Sequence, residues 1–499
     1  MPESNDDMVQ TSKEESEVKL QEAPLISEVQ EDTEKETSID DAVGMNEEKP
    51  ELLGEKKQKI TDMNSQTPNP CSDDKSGEVN GSEECQKKEA VQESQARSLS
   101  NEEVTGYTAS LWKYLPVPVD EPEPAPEYIN GMVDYPRSKI IAARVRGKKH
   151  KHEGTNCDDW YEVANYEAVT FIAVSDGAGS KKFSRIGSRV SCKVAIGYMV
   201  SHFEKLFTSQ PKLRTDLKLP ISDPKCMEAC TKVAKIVQEA VVQAREAVEA
   251  AFYSRKMDTA YKEILGRELR LTDFSGTLLL TVLIPVSDDK EHLVFSCQIG
   301  DGMIALVNTN AGFENSVKLM GVADSGDFSG ETDFLTSPQM KNIEKLQLRT
   351  KISRTSMDTV MVMSDGVSDD YYPNEIQMSR LYFDLVVNGI LDMDSTPTSM
   401  ATLTQEQVKL IRHIPDPQIY PWVNDQTIKI PIQYTKRILE STGLTLEDLW
   451  NDRTIINLAR LEMVDEQGPS DPSEKLKVWL DNYVERGSFD DRTLVVVTV

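Results

Sequence analysis

Four apolar runs in this sequence end on, or start just after, an aspartate. Val169 to Val174 leads into Ser175-Asp176-Gly177-Ala178-Gly179, Val294 to Gly300 into Asp301-Gly302, and Thr359 to Ser364 into Asp365-Gly366. Asp490-Asp491 comes just before the run Thr493 to Val499. An apolar run of this length reads as a buried strand. A carboxylate at the end of such a strand is firmly held, and a glycine beside it lets a backbone carbonyl approach a cation. Carboxylates gathered at one place repel one another strongly at low dielectric unless cations lie between them. A hydrolytic centre built on two metal ions resolves that repulsion. With oxygen donors and no His or Cys at these positions, Mg²⁺ or Mn²⁺ is favoured over zinc. Taken singly, a strand followed by Asp-Gly is only a hairpin or loop signal. Gly300-Asp301-Gly302, with glycine on both sides, reads as a tight turn in preference to a ligand.

Further motifs join these in a fixed order. Gly147-x-x-His150-x-x-x-Gly154-x-x-Cys157-Asp158-Asp159 comes first, then SDGAGSKKFSRIGS, then Asp273-Phe-Ser-Gly276-Thr277. QIGDG (Gln298 to Gly302), GDFSGETDFLTS (Gly326 to Ser337), MSDGVSDD (Met363 to Asp370) and SFDDRT (Ser488 to Thr493) follow. In this order they resemble the metal-dependent serine/threonine protein phosphatases of type 2C, in the branch common in bacteria, over about Ser138 to Val499. The resemblance implies an α+β fold, a central β-sandwich flanked by helical layers, with the site at one end of the sandwich.

It also implies roles. Asp176 would bridge two ions, Mg²⁺ or Mn²⁺, and the Gly177 carbonyl would bind one of them. Asp365 and Asp490 would bind the other. The family's ligand lies three residues before the threonine of SFDDRT, which selects Asp490 and leaves Asp491 in the usual asparagine slot. Asp159 would act through a metal-bound water. Asp273 fits a position that in some members helps hold a third, weaker ion. Asp159, Asp176 and His150 form the implied catalytic set. The reaction would be direct attack of a metal-bridging hydroxide on a phosphoserine or phosphothreonine of a protein substrate, with no phospho-enzyme.

Two positions depart from the family. Many eukaryotic members carry a histidine where Ala178 stands, so the leaving group would be protonated by metal-bound water or by His150 or His152. The arginine that grips phosphate in many members is replaced by Glu153 at that spacing, leaving Arg146, Lys149 or His150 to substitute. His150 fills the G-x-x-H slot. These departures keep two alternatives open: a phosphatase-like scaffold with little or no activity, and a two-metal phosphoesterase for small molecules.

The elements that must position these residues read as follows. Strands are expected at 138–145, 276–285, 292–298, 303–308, 357–364 and 493–499, beside the one ending at Asp176. Phe183 to Phe207 has helical spacing, with Ser184 as its cap, and Pro224 to about Leu269 is rich in alanine and glutamate. His202 reads as structural. Residues 374–480 read as a mixed, largely helical insertion before the last strand, with helices at 405–412, 432–440 and 474–484.

Ahead of this domain (138–499) lies an acidic tail, 1–105, with no aromatic residue before Tyr107. Such a segment buries too little apolar surface to offset chain entropy, so disorder is expected. Residues 106–137, including the proline-rich LPVPVDEPEPAPEY, read as an extended linker. The net charge of −28 argues against nucleic acid as a partner. No stretch is long and apolar enough to span a bilayer, and MPESNDD has neither the basic flank nor the apolar core of a secretory signal. The expectation is a cytoplasmic protein without a membrane partner. Seven scattered cysteines suit reduced thiols.

Overall fold

The computed structural model describes residues 111–287, 290–321, 333–392, 402–423, 431–464, 469–484 and 489–499. The acidic tail, most of the motif 326–337 and Ser488 lie outside the described residues.

Two antiparallel sheets form the centre. One has six strands in the order β1 (Tyr128–Tyr135), β2 (Ser138–Val145), β13 (Arg492–Thr498), β10 (Thr359–Met363), β7 (Met303–Val307) and β8 (Val317–Leu319). The other has five: β3 (Trp160–Tyr166), β4 (Val169–Ser175), β5 (Leu278–Pro285), β6 (Glu291–Ile299) and β9 (Thr350–Ser356). A short pair, β11 (Arg412–His413) and β12 (Ile432–Gln433), lies apart from both.

The sheets meet face to face over Ile140, Ala142, Ile172, Val174, Val362 and Val495, all buried. Their outer faces are covered too. Ile141, Ala143, Met361 and Met363, which alternate with those inner residues, pack on the C-terminal helices. Burial on both faces explains why the strands read as continuous apolar runs and not as an alternation. Each buried Ile, Val or Met among them adds roughly 1.5–3 kcal/mol of transfer free energy.

The helical layer on the five-stranded sheet is α1 (Ser184–Ser209) packed on α2 (Pro224–Arg255). Asp223 caps α2 by accepting the Lys225 N–H at 2.8 Å, with Pro224 in the first turn. Ser184 does not cap α1: its hydroxyl donates to the Lys181 carbonyl, and Phe183 occupies the cap position. On the six-stranded sheet the layer includes α3 (Asn374–Val387), α4 (Thr454–Val464) and α5 (Pro472–Asp481). The described helices of 374–480 thus belong to the second outer layer of the sandwich. His202 is structural, its Nδ1 2.7 Å from the Tyr198 carbonyl and its ring stacked on Tyr198.

The domain begins earlier than Ser138, because Tyr128–Tyr135 forms edge strand β1. The stretch before it is no free linker. Glu121 is buried against Arg185, and Glu123 accepts from Arg189, Arg255 and Tyr261, each at 2.5 Å. These partners overcome partial burial and hold the Glu123 carboxyl down at about 2. None of the five described cysteines forms a disulfide, and all five are buried. No helix among the described residues is long and apolar enough to cross a membrane.

Candidate active site

Strand register brings the aspartates to one end of the sandwich. Met363, the last residue of β10, pairs with Leu494 of β13 on one side and Met303 of β7 on the other. Asp365, Asp490 and Asp301 leave these strands at the same edge. On the other sheet Trp160 pairs with Ser175, and Leu278 with Ile299, so Asp159, Asp176 and Gly276 lie at that edge as well.

Asp176, Asp301 and Asp365 form the inner group, with one carboxylate oxygen from each lying within 4.8 Å of the others. Burial and then mutual repulsion push Asp176 and Asp365 well above the usual carboxylate range. For Asp176 the repelling charges are Asp365, Asp159 and Asp490; for Asp365 they are Asp301, Asp159 and Asp490. Oδ1 of Asp365 is buried with no hydrogen-bond partner. An all-carboxylate donor set with uncompensated charge and an orphaned buried oxygen fits a hard divalent cation.

Gly177 forms a bridge with Gly276, but the hydrogen bonds of that bridge belong to its neighbours, Ala178 N–H to Ser275 (3.0 Å) and Thr277 N–H to Asp176 (2.7 Å). The Gly177 carbonyl is left uncommitted. A side chain here would begin 2.6 Å from the Asp158 carbonyl, so only glycine fits.

Asp159 sits behind this group, fully buried. Its Oδ2 accepts from the hydroxyls of Ser364 (2.8 Å) and Thr493 (2.6 Å). Burial and the Asp491 charge raise it to about 7, the two hydroxyls opposing.

His150, Asp490 and Asp491 form a second, outer group. Asp491 accepts the N–H of Gly147 and of Asp158 and lies 2.9 Å from His150 Nδ1. Although buried, it is held below the usual range by the His150 charge and these donors. His150 Nε2 lies 3.4 Å from Asp490 Oδ1. Burial opposes charge on the ring, but Asp491, Asp158 and Asp490 outweigh it and raise the imidazole to about 10. The sequence reading gave Asp365 and Asp490 one shared ion. In the structure Asp365 groups with Asp176 and Asp301, and Asp490 with His150 and Asp491, while the Asp490 charge still acts on both Asp176 and Asp365.

The basic stretch Arg146–His152, read as a turn, forms a short helix over Lys148–Glu153 and is built into the domain. Arg146 donates to the carbonyls of Leu115 and His150, and Lys151 is buried against Asp481 and the Trp422 carbonyl. Lys149 differs. A side chain at Gly179 would begin 3.3 Å from Lys149 Nζ, 3.7 Å from Asp490 Oδ2 and 3.8 Å from His150 Nε2, so these three groups converge on the turn after Asp176.

Asp273 is not brought into either group. Its oxygens take both terminal nitrogens of Arg267 (2.9 and 2.6 Å) and the Arg270 N–H (2.8 Å). Against its burial, these partners hold it below the usual range. A carboxylate so compensated gains little from a cation. Asp301 went the other way: the turn is real, with Gly300 at φ 107° and Gln298 donating to the Gly300 and Gly302 carbonyls, yet its carboxylate reaches the inner group. Its strand-Asp-Gly pattern, shared with Asp176 and Asp365, was the signal.

The sequence model of the protein phosphatase 2C family matches residues 146–402. Among solved structures, the chain is similar to RsbX in complex with magnesium (9% identity, 74% of this chain and 99% of that one, TM-score 0.28). It is similar to the serine/threonine phosphatase Stp1 from Staphylococcus aureus (11%, 78% and 98%, TM-score 0.29). It is also similar to a serine-threonine phosphatase 2C from Toxoplasma gondii (11%, 75% and 99%, TM-score 0.32). No curated protein gives a significant sequence match.

Proposed function

This chain belongs to the protein phosphatase 2C family, and from that premise we propose that it hydrolyses phosphoserine and phosphothreonine in protein substrates by direct attack of water, with Mg²⁺ or Mn²⁺. The observation that carries the reading is the convergence of Asp176, Asp301 and Asp365 with an unpartnered buried oxygen on Asp365. Ions held there would lower the pKa of water and neutralise the phosphate.

The chain's own residues divide the remaining tasks. Asp176, Asp301, Asp365 and the Gly177 carbonyl form the inner cradle, and Asp490 closes it from the outer side. Asp159, fixed by Ser364 and Thr493, faces the inner group as the orienting carboxylate. Lys149 grips the phosphate, since Arg146 is committed to two carbonyls and Lys149 Nζ reaches the turn beside Asp490. His150 serves as a positioning residue, its two nitrogens facing Asp491 and Asp490. Protonation of the departing alkoxide falls to water.

The test is turnover of phosphothreonine peptides by the full chain with Mn²⁺, with chelator, and in Asp176→Asn. Equal turnover in chelator, or in the variant, would refute the reading.

A further inference from the structure

The chain enters the domain beside the candidate site. From Leu115 back to Trp112 it runs along the short helix Lys148–Glu153. The Leu115 N–H donates to the Lys151 carbonyl at 2.7 Å, and the Lys113 N–H to His152 Nδ1 at 2.9 Å. The Trp112 ring then lies 5.2 Å from the His152 ring, edge on, and 5.0 Å from the ring of Phe489. Trp112 also packs on the hydrophobic cluster of the C-terminal helices, which fixes the point of entry.

Phe489 belongs to the site's own loop. It immediately precedes Asp490, and its carbonyl accepts the Lys149 N–H at 2.9 Å. Backwards along the chain, the path thus leads from Lys151 toward Lys149 and Asp490, which converge on the turn after Asp176.

The nine residues ahead of Leu111 are Glu102-Glu-Val-Thr105-Gly-Tyr-Thr-Ala-Ser110. They lie outside the described residues, but their covalent reach is bounded. Each residue spans at most about 3.6 Å, so Thr105, seven residues before Trp112, stays within about 25 Å of that anchor. A group confined to such a distance has an effective concentration in the millimolar range, which a separate phosphoprotein must match to compete. Two glutamates just before Thr105 make it an acidic site for a kinase to modify.

We propose that Thr105, once phosphorylated by an ATP-dependent protein kinase, is a substrate of this chain's own site and is hydrolysed in cis. The proposal rests on the catalytic reading above and adds a named substrate to it. Water attacks phosphorus and the bond from phosphorus to the threonine Oγ breaks. One proton of the water ends on Oγ, the other stays with the phosphate, and inorganic phosphate leaves.

The test uses the full chain carrying phosphothreonine at position 105, assembled by peptide ligation in chelator, with a free phosphothreonine peptide of the same local sequence as reference. Mn²⁺ starts the reaction, and phosphate release is followed over about a hundredfold range of protein concentration. The expected result is a first-order loss whose half-life does not change on dilution. An insertion of about twenty Gly/Ser residues after Ser110 should slow that loss about tenfold, because effective concentration falls as roughly the −3/2 power of tether length. Turnover of the free peptide should not change in the insertion variant. Retention of the chain's phosphate, a rate that falls in proportion to dilution, or a rate indifferent to the insertion would overturn the proposal, while peptide turnover keeps the catalytic reading standing. Hydrolysis of neither the chain nor the peptide would overturn both.

Discussion

The Asp491 carboxylate accepts the backbone N–H of Gly147 at 2.6 Å, fastening the loop before β13 to the start of the short helix that carries Lys149 and His150. The same carboxylate holds the Asp158 N–H and the His150 ring. Asp491→Ala should therefore act mainly on stability. It strands two buried donors and a buried cation, a loss of about 3–5 kcal/mol. Asn, keeping one acceptor, should recover part of it. Urea unfolding in chelator measures both. A cost below about 1 kcal/mol for the alanine variant would contradict this account.

Asp176→Asn should abolish metal-dependent turnover and raise the stability of the metal-free protein. The folded pKa of Asp176 is raised, so ionising it costs stability once pH exceeds the unfolded value. Removing the charge returns that cost, about 1 kcal/mol or more at pH 7. Lower stability in chelator would count against the repulsion argument.

Asp301→Ala and Asp365→Ala should each weaken Mn²⁺ by about ten- to a hundredfold, and the double variant should be little worse than either. Residues around one ion fail as a unit. Calorimetric Mn²⁺ titration decides it: strict additivity would mean that the two do not share an ion, and an unaffected Asp301→Ala would return Gly300-Asp301-Gly302 to a plain turn.

Lys149→Ala should raise KM for a phosphopeptide about tenfold while leaving Mn²⁺ affinity near wild type, because one charged contact to phosphate is lost. Lys149→Arg should restore most of it. An unchanged KM in the alanine variant would remove Lys149 from the site.

Glu123 tests the stretch ahead of β1. Its folded pKa, about 2, lies below the ordinary glutamate value of 4.5. Its stabilisation is thus present above about pH 4.5 and lost as pH falls toward 2. Glu123→Gln should cost about 1 kcal/mol at pH 7, the figure for partly exposed ion pairs. The gap from wild type should narrow as denaturation is followed down to pH 3. A gap independent of pH would show that packing, not charge, holds this stretch.

Much of this was legible in the sequence, for a physical reason. Strands buried on both faces give unbroken apolar runs, and an aspartate ending such a run, as at Asp176 and Asp365, marks one end of the sandwich. What depended on partners far along the chain was not legible. Arg267 neutralises Asp273, and no spacing rule reports that a carboxylate is already taken. Tyr128–Tyr135 was read as part of the extended linker, and only pairing with β2 makes it a strand. The linker's acids found Arg185, Arg189 and Arg255 on two helices, contacts that composition cannot foresee. Asp365 and Asp490 were rightly placed on neighbouring strands, but which carboxylates share a group is set by loop geometry beyond the strand ends.

The position of β13 between β2 and β10 bears on how the protein is made. Its Thr493 bonds to Ser364, 129 residues earlier. During translation, β2 and β10 both emerge well before the strand that joins them, with unpaired edges and apolar faces waiting. Such long-range closure is slow and leaves intermediates open to association. Asp490 and Asp491 arrive with that strand, so a nascent chain lacks both the clamp on Gly147 and the outer carboxylate of the site. Completion of the sheet and assembly of the proposed site therefore come in one late event, and a chain stalled before residue 490 lacks both of these carboxylates.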